Sequence, residues 1–191
     1  KFGEATAILA GDALHDFAFQ LISSNLKNIN PKQSLKLINY LTKCTGHEGL
    51  AGGQSLDLLY ENKILSKNKI VDMYNKKTGR LFEFSFAAPL IMKNEKINKI
   101  KFGKNYGSVF GNIFQITDDI LDETKSFKKI GKTPGKDKKQ GKRTLLSVIG
   151  KVKTIEFCEN LAEKFIKNNK KYFSQYPILK SLLYYNIEKL K

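Results

Sequence analysis

The stretch FQITDDILDE, residues 114–123, sets three aspartates within five positions of an otherwise apolar run. Carboxylates crowded in this way repel one another, so either a cation sits among them or they face water. Turning about 100° per residue from Asp118 at zero puts Asp122 near 40°, Gln115 near 60° and Asp119 near 100°. Ile113, Ile116 and Ile120 fall at roughly 160–220° by the same count. A helix here therefore carries an acidic flank and an apolar back. Gly107 and Gly111 lie upstream on the acidic side and leave room for something bulky alongside.

Three readings of that flank compete: a divalent-ion site, a solvated acidic face, or an N-cap and first turn of a new helix at residues 117–119. The apolar period runs on without interruption, which counts against the last. Phe110, Phe114 and Leu121 flank the acids, which counts against the second. Spacing alone leaves the choice open. If an ion is held, oxygen-only donors favour Mg²⁺ or Mn²⁺ over zinc. Magnesium takes one or two carboxylates plus substrate phosphates, so the cluster implies a phosphorylated ligand.

The bulk composition agrees with an anionic partner. In 191 residues, 34 Lys and Arg stand against 18 Asp and Glu, a net charge of +16. That excess suits nucleic acid, an anionic membrane or phosphorylated small molecules, and most of it is read as lysine on solvated helix faces. Cys44 and Cys158 are far apart and motif-free, which gives neither a disulfide framework nor a zinc site and fits a reducing cytoplasm. No apolar run reaches the ~18 residues that cross a bilayer. FEFSFAAPLIM is too short and contains Glu83, so no stable membrane insertion is expected. The chain begins at Lys1 without Met, and a missing natural N-terminus is expected from that.

Strand-like alternation is nearly absent and helical spacing recurs. A buried, close-packed helix is expected over residues 4–24, and Pro31 and Ser34 open a second through LKLINYLTK. GHEGLAGGQSLDLLYE reads as a helix that other backbones approach closely. Ser66 is the expected N-cap of a long helix over residues 67–92, kinked at Pro89. Another helix spans about residues 94–127 and contains the acidic flank. KKIGKTPGKDKKQGKR, residues 128–143, is a loop, and helical runs follow through TLLSVIG, VKTIEFCENLAEKFIKNN and PILKSLLYYNIEKLK. The expectation is a single all-α domain.

Several blocks in register now match a family. FQITDDILD resembles the second aspartate-rich motif of the trans-prenyltransferases, the farnesyl and geranylgeranyl diphosphate synthases. KFGEATAILAGDAL resembles the segment after their first aspartate-rich motif. GGQSLDL and KKTGRLFE resemble their central blocks, and GKTPGKDKKQGKRT their lysine loop. The resemblance implies an isoprenoid-synthase-type antiparallel helical bundle around a central cavity, commonly a homodimer. Residues 1–191 would be the C-terminal two thirds of one such domain, lacking the N-terminal helices.

The implied reaction is Mg²⁺-dependent, head-to-tail condensation of isopentenyl diphosphate with an allylic diphosphate, in the cytoplasm, for isoprenoid biosynthesis. Carried over by position, Asp118, Asp119 and Asp122 would coordinate Mg²⁺ bound to the allylic diphosphate. Lys77, Lys132 and Lys142 would hold that diphosphate, and Thr78 and Gln115 would turn their oxygens to the carbon that becomes cationic. The departing pyrophosphate would accept the final proton. The first aspartate-rich motif, its arginines and the isopentenyl diphosphate site have no counterpart in this sequence. The fragment alone is therefore expected to be inactive, and product length stays open.

Two other functions compete. A non-catalytic regulatory subunit would not need intact Asp118, Asp119, Asp122, Lys77, Lys132 and Lys142. A basic helical nucleic-acid module would interleave aromatics with its basic patch, yet the loop has Phe127 at its edge and none up to Arg143. GKT at residue 131 fails as a P-loop, because Ser126 stands where the first glycine belongs. The lysine loop reads instead as a lid over a diphosphate. Gln54 and Asp57 read either as polar groups at the cavity wall or as a buried hydrogen-bonded pair holding two helices, the pair being preferred, and Asp12 likewise. His15 and His47 lack ligand partners, and the aromatic C-terminal segment with Phe173, Tyr184 and Tyr185 reads as core.

Overall fold

The computed structural model describes residues 1–24, 29–124 and 143–190. The lysine loop, with Lys132 and Lys142, lies outside the described residues. In chain order the helices are α1 (Glu4–Ser23), α2 (Pro31–Thr45), α3 (Leu50–Leu59), α4 (Lys67–Tyr74), a π-turn (Asn75–Gly79), α5 (Arg80–Met92) and α6 (Ile97–Thr124). Beyond the loop come α7 (Leu145–Ile149), α8 (Lys151–Asn168), α9 (Lys170–Gln175) and α10 (Pro177–Glu188). No strand occurs among the described residues.

Local chemistry sets the boundaries. Pro31 opens α2 at a position where its missing N–H costs nothing. Asn30 caps it in a reciprocal pair with Gln33, each backbone N–H donating to the other's side chain at 2.9 Å. Ser66 does occupy the N-cap of α4, although its side chain makes no capping bond. From there α4, the π-turn and α5 run on as one rod, with Pro89 inside α5. Nothing in NKKTG announces the π-turn.

The long helix α6 is the axis of the packing. Its apolar back, Ile113, Ile116 and Ile120, is buried as its period requires. These side chains join Leu145, Cys158, Ala162, Leu183 and Ile187 in one core. Each fully buried isoleucine contributes about 1.5–3 kcal/mol of transfer free energy. Tyr106 also sits in this core and donates to the carbonyl of Leu179 at 2.8 Å, which ties α6 to α10. Cys44 and Cys158 are free and buried, and burial pushes their thiols up to about 11 and about 12. Such thiols stay protonated and inert, as packing residues should. In the aromatic C-terminal region Phe173 is core, whereas Tyr185 is exposed.

Three expectations need correction. The helix α1 is exposed along its length, with Leu14 at 69% and Phe17 at 50%, and has no buried residue. Its apolar side chains are spread around the helix, while α2 covers one side. Asp12 is exposed with it, so it is no buried bonding partner. Finally, the neighbour of Gly107 and Gly111 is backbone, not a bulky group. A Cβ on Gly111 would lie 2.7 Å from the Cα of Gly79, and α5 runs against Gly107.

Candidate active site

The π-turn carries Lys77 and Thr78, and its neighbours fix it on two sides. A Cβ at Gly53 of α3 would come within 2.2 Å of the Lys77 backbone nitrogen, so only glycine lets α3 approach this closely. On the α6 side, the Ser108 hydroxyl donates to Asn75 Oδ1 at 2.7 Å. Wide π geometry at such a wedge offsets the Lys77 and Thr78 side chains from a regular helical register.

From this base a continuous polar network crosses to α6 and α7. Thr78 Oγ1 donates to Gln115 Oε1 at 2.7 Å, and Gln115 Nε2 donates to Asp119 Oδ1 at 2.8 Å. The Tyr74 hydroxyl donates to Asp119 Oδ2 and accepts from the backbone N–H of Leu145 at 2.9 Å. Both bonds of the Gln115 amide require its oxygen on the Thr78 side, so the network fixes which end faces which way. Burial, then the Asp119 carboxylate, hold the Tyr74 hydroxyl well above the usual phenol range. It is therefore a neutral donor at any physiological pH.

Lys77 Nζ donates to Asp57 Oδ2 at 2.5 Å, and Asp57 is buried. This corrects the expected Gln54–Asp57 pair: Gln54 is exposed, and the partner of Asp57 comes from the π-turn. Positions i and i+3 differ by about 300° on a helix, yet Gln54 turns to the outside edge of α3 and only Asp57 faces inward. Asp57, Tyr74, Lys77, Gln115, Asp119 and Arg143 line a small polar cavity of about 30 Å³. Beside it, Leu50, Lys77, Thr78, Leu81, Phe82 and Ser85 line an apolar recess of about 210 Å³. Larger hollows of about 340 and 620 Å³ lie elsewhere, at the α5–α6 turn and along α2, away from this chemistry.

Among the sequence-predicted site residues, Lys77, Thr78, Gln115 and Asp119 come together. Asp118 is half-buried and Asp122 is buried, one turn apart on α6. Among the described residues, no three His, Cys, Asp or Glu side chains form a ready ligand set. Asp119 stands about 100° around the helix from Asp118 and is engaged by Tyr74 and Gln115. The network and cavity also include Tyr74 and Arg143, to which the sequence motifs assign no role. Tyr74 carries no sequence signal, since its partner lies 45 residues away.

The chain matches the polyprenyl synthetase family model over residues 1–175. It is 34% identical over 184 residues to a farnesyl diphosphate synthase of Bacillus subtilis (strain 168), covering 96% of this chain and 61% of that one. With geranylgeranyl pyrophosphate synthase 4 of Arabidopsis thaliana it shares 37% identity over 163 residues, covering 84% and 43%. The fold superimposes on the geranyltransferase of Helicobacter pylori, solved with magnesium and isoprenyl diphosphate, with a TM-score of 0.81 at 28% identity, over 98% of this chain and 61% of that one. The chain thus spans 43–61% of the length of these relatives. On the family match and the shared helical fold, the chain belongs to the polyprenyl synthetase family.

Proposed function

We propose that this chain forms the allylic-diphosphate side of a prenyltransferase domain that joins isopentenyl diphosphate to an allylic diphosphate with Mg²⁺, or alternatively Mn²⁺. The observation that carries it is the Thr78–Gln115–Asp119–Tyr74 network on the wall shared by Lys77 and the apolar recess. The donor chemistry fits magnesium, because Asp118 and Asp122 offer hard oxygens and neither His nor Cys joins them. The substrate's own phosphates would complete the coordination. Magnesium, when bound, would neutralise charge developing on the leaving diphosphate.

The chain's own residues have distinct tasks. Lys77, anchored by Asp57, offers an ammonium that is already oriented, and Lys132 and Lys142 are proposed to add theirs. Thr78 gives its only proton to Gln115, which leaves the hydroxyl's lone pairs available to a nearby cationic carbon. Asp119 holds the Gln115 amide so that its oxygen stays on the same side. Leu50, Leu81 and Phe82 would keep water from that carbon. As the allylic C–O bond breaks, its electron pair leaves with the diphosphate. The isopentenyl π-electrons then form the new C–C bond, and the proton lost from the resulting cation passes to the departing pyrophosphate. A homodimer and a cytoplasmic setting belong to the same proposal, and pairing would cover the apolar side chains of α1. Among the described residues no helix is long and apolar enough to cross a membrane.

The test is turnover by the whole protein. With Mg²⁺, it should release pyrophosphate from isopentenyl diphosphate and an allylic partner, and Thr78→Val should lower kcat by about 10²-fold with KM little changed. Absence of turnover in the whole protein would overturn the proposal in favour of a regulatory subunit.

A further inference from the structure

The charged groups around the polar cavity are unequally partnered. Lys77 is tied to Asp57 at 2.5 Å, and both oxygens of Asp119 accept hydrogen bonds. Arg143 lines the same cavity but makes no ion pair among the described residues, and its Nε is buried without a hydrogen-bond partner. A buried donor left unmade carries its desolvation penalty uncompensated, more so when charged. A guanidinium in that position gains most from an anion that can accept two parallel N–H bonds.

The backbone beside Arg143 is anchored. Thr144 caps α7 in a reciprocal box with Ser147, at 3.1 and 3.2 Å, and the next N–H, of Leu145, donates to Tyr74. Arg143 is thereby registered to the same tyrosine that holds Asp119, and so to the acidic helix. The cavity lining carries two cations, Lys77 and Arg143, against two carboxylates, Asp57 and Asp119. Lys77 already answers Asp57. We infer that Arg143 binds the diphosphate of the allylic substrate, as a forked donor that the lysines cannot imitate. The inference rests on the prenyl-transfer reading and adds a binding residue to it.

The test is calorimetric titration of the chain with inorganic pyrophosphate in Mg²⁺. Arg143→Gln is expected to weaken binding about 10- to 100-fold, and Arg143→Lys to restore only part, with melting temperatures close to that of the parent chain. Unchanged affinity in Arg143→Gln would overturn the inference, and so would full recovery by lysine, since a point charge would then suffice. If Arg143→Gln fails to fold, Arg143→Lys alone decides between the two. A parent chain that binds no pyrophosphate with Mg²⁺ would overturn the prenyl-transfer reading itself, a result distinguishable from failure at Arg143.

Discussion

Replacing Gly107 by valine is expected to lower stability by about 3 kcal/mol or more, among the largest losses open to a single change here. A Cβ at this position would lie 2.5 Å from the Cα of Glu83 and 2.5 Å from the carbonyl oxygen of Phe82. Both atoms are backbone, so no side chain can swing aside. The only relief is to push α5 off α6. That movement would strain the tie between α5 and α2, where buried Glu83 accepts from Tyr40 at 2.6 Å. It would also draw Thr78 away from Gln115. Gly11→Ala is the matched control: nothing lies within 4 Å of that Cβ, and alanine should stabilise an open helical position by about 0.5–1 kcal/mol. Urea midpoints of the two variants should move in opposite directions. A Gly107→Val chain as stable as the parent would mean that the two helices do not meet as described.

The second large effect separates neighbouring aspartates. Asp119→Asn is expected to cost about 2–3 kcal/mol, whereas Asp118→Asn should stay within about 1 kcal/mol. The carboxylate of Asp119 accepts from two donors, Tyr74 Oη and Gln115 Nε2. An asparagine has one acceptor oxygen and sets an N–H₂ against whichever donor remains. Either the Tyr74 hydroxyl is orphaned in the core, where the residue is 3% exposed, or the Gln115 amide turns away from Thr78. Asp118 is half-buried, and the Tyr74 hydroxyl and the Gln115 amide donate to Asp119 instead. Thermal unfolding of the two variants reads the difference directly. Alkaline titration provides a second readout: loss of the Asp119 charge should bring the Tyr74 hydroxyl down toward the ordinary phenol range, with burial still holding it above. Equal losses for both variants would contradict the division of labour along the acidic flank.

Much of this was legible in the letters. The period of Ile113, Ile116 and Ile120 gave the buried back of α6, and the glycines of GLAGGQ anticipated a helix that another backbone could approach, as α3 does at Lys77. The blocks KKTG and FQITDD named Thr78, Gln115 and Asp119, which the fold brings into one network. What the letters hid depends on tertiary context. Tyr74 reads as an ordinary core tyrosine until α6 lies against it. Asp57 has a plausible local partner in Gln54, and only packing of α3 on the π-turn selects Lys77. Arg143 reads as one more cation in a basic loop, because its distinction, a buried Nε without a hydrogen-bond partner beside Asp57 and Asp119, exists only in the fold. The exposure of α1 was hidden for a related reason: apolar side chains announce a buried helix without saying what buries it.

The central claim is that Asp118 and Asp122 bind a diphosphate through magnesium. Calorimetric titration of inorganic pyrophosphate, with and without Mg²⁺, tests it on the parent chain and on the Asp118→Asn/Asp122→Asn double variant. Binding should require Mg²⁺ in the parent and be absent in the double variant at either condition. Equal affinity without the metal, or undiminished binding in the double variant, would contradict the claim.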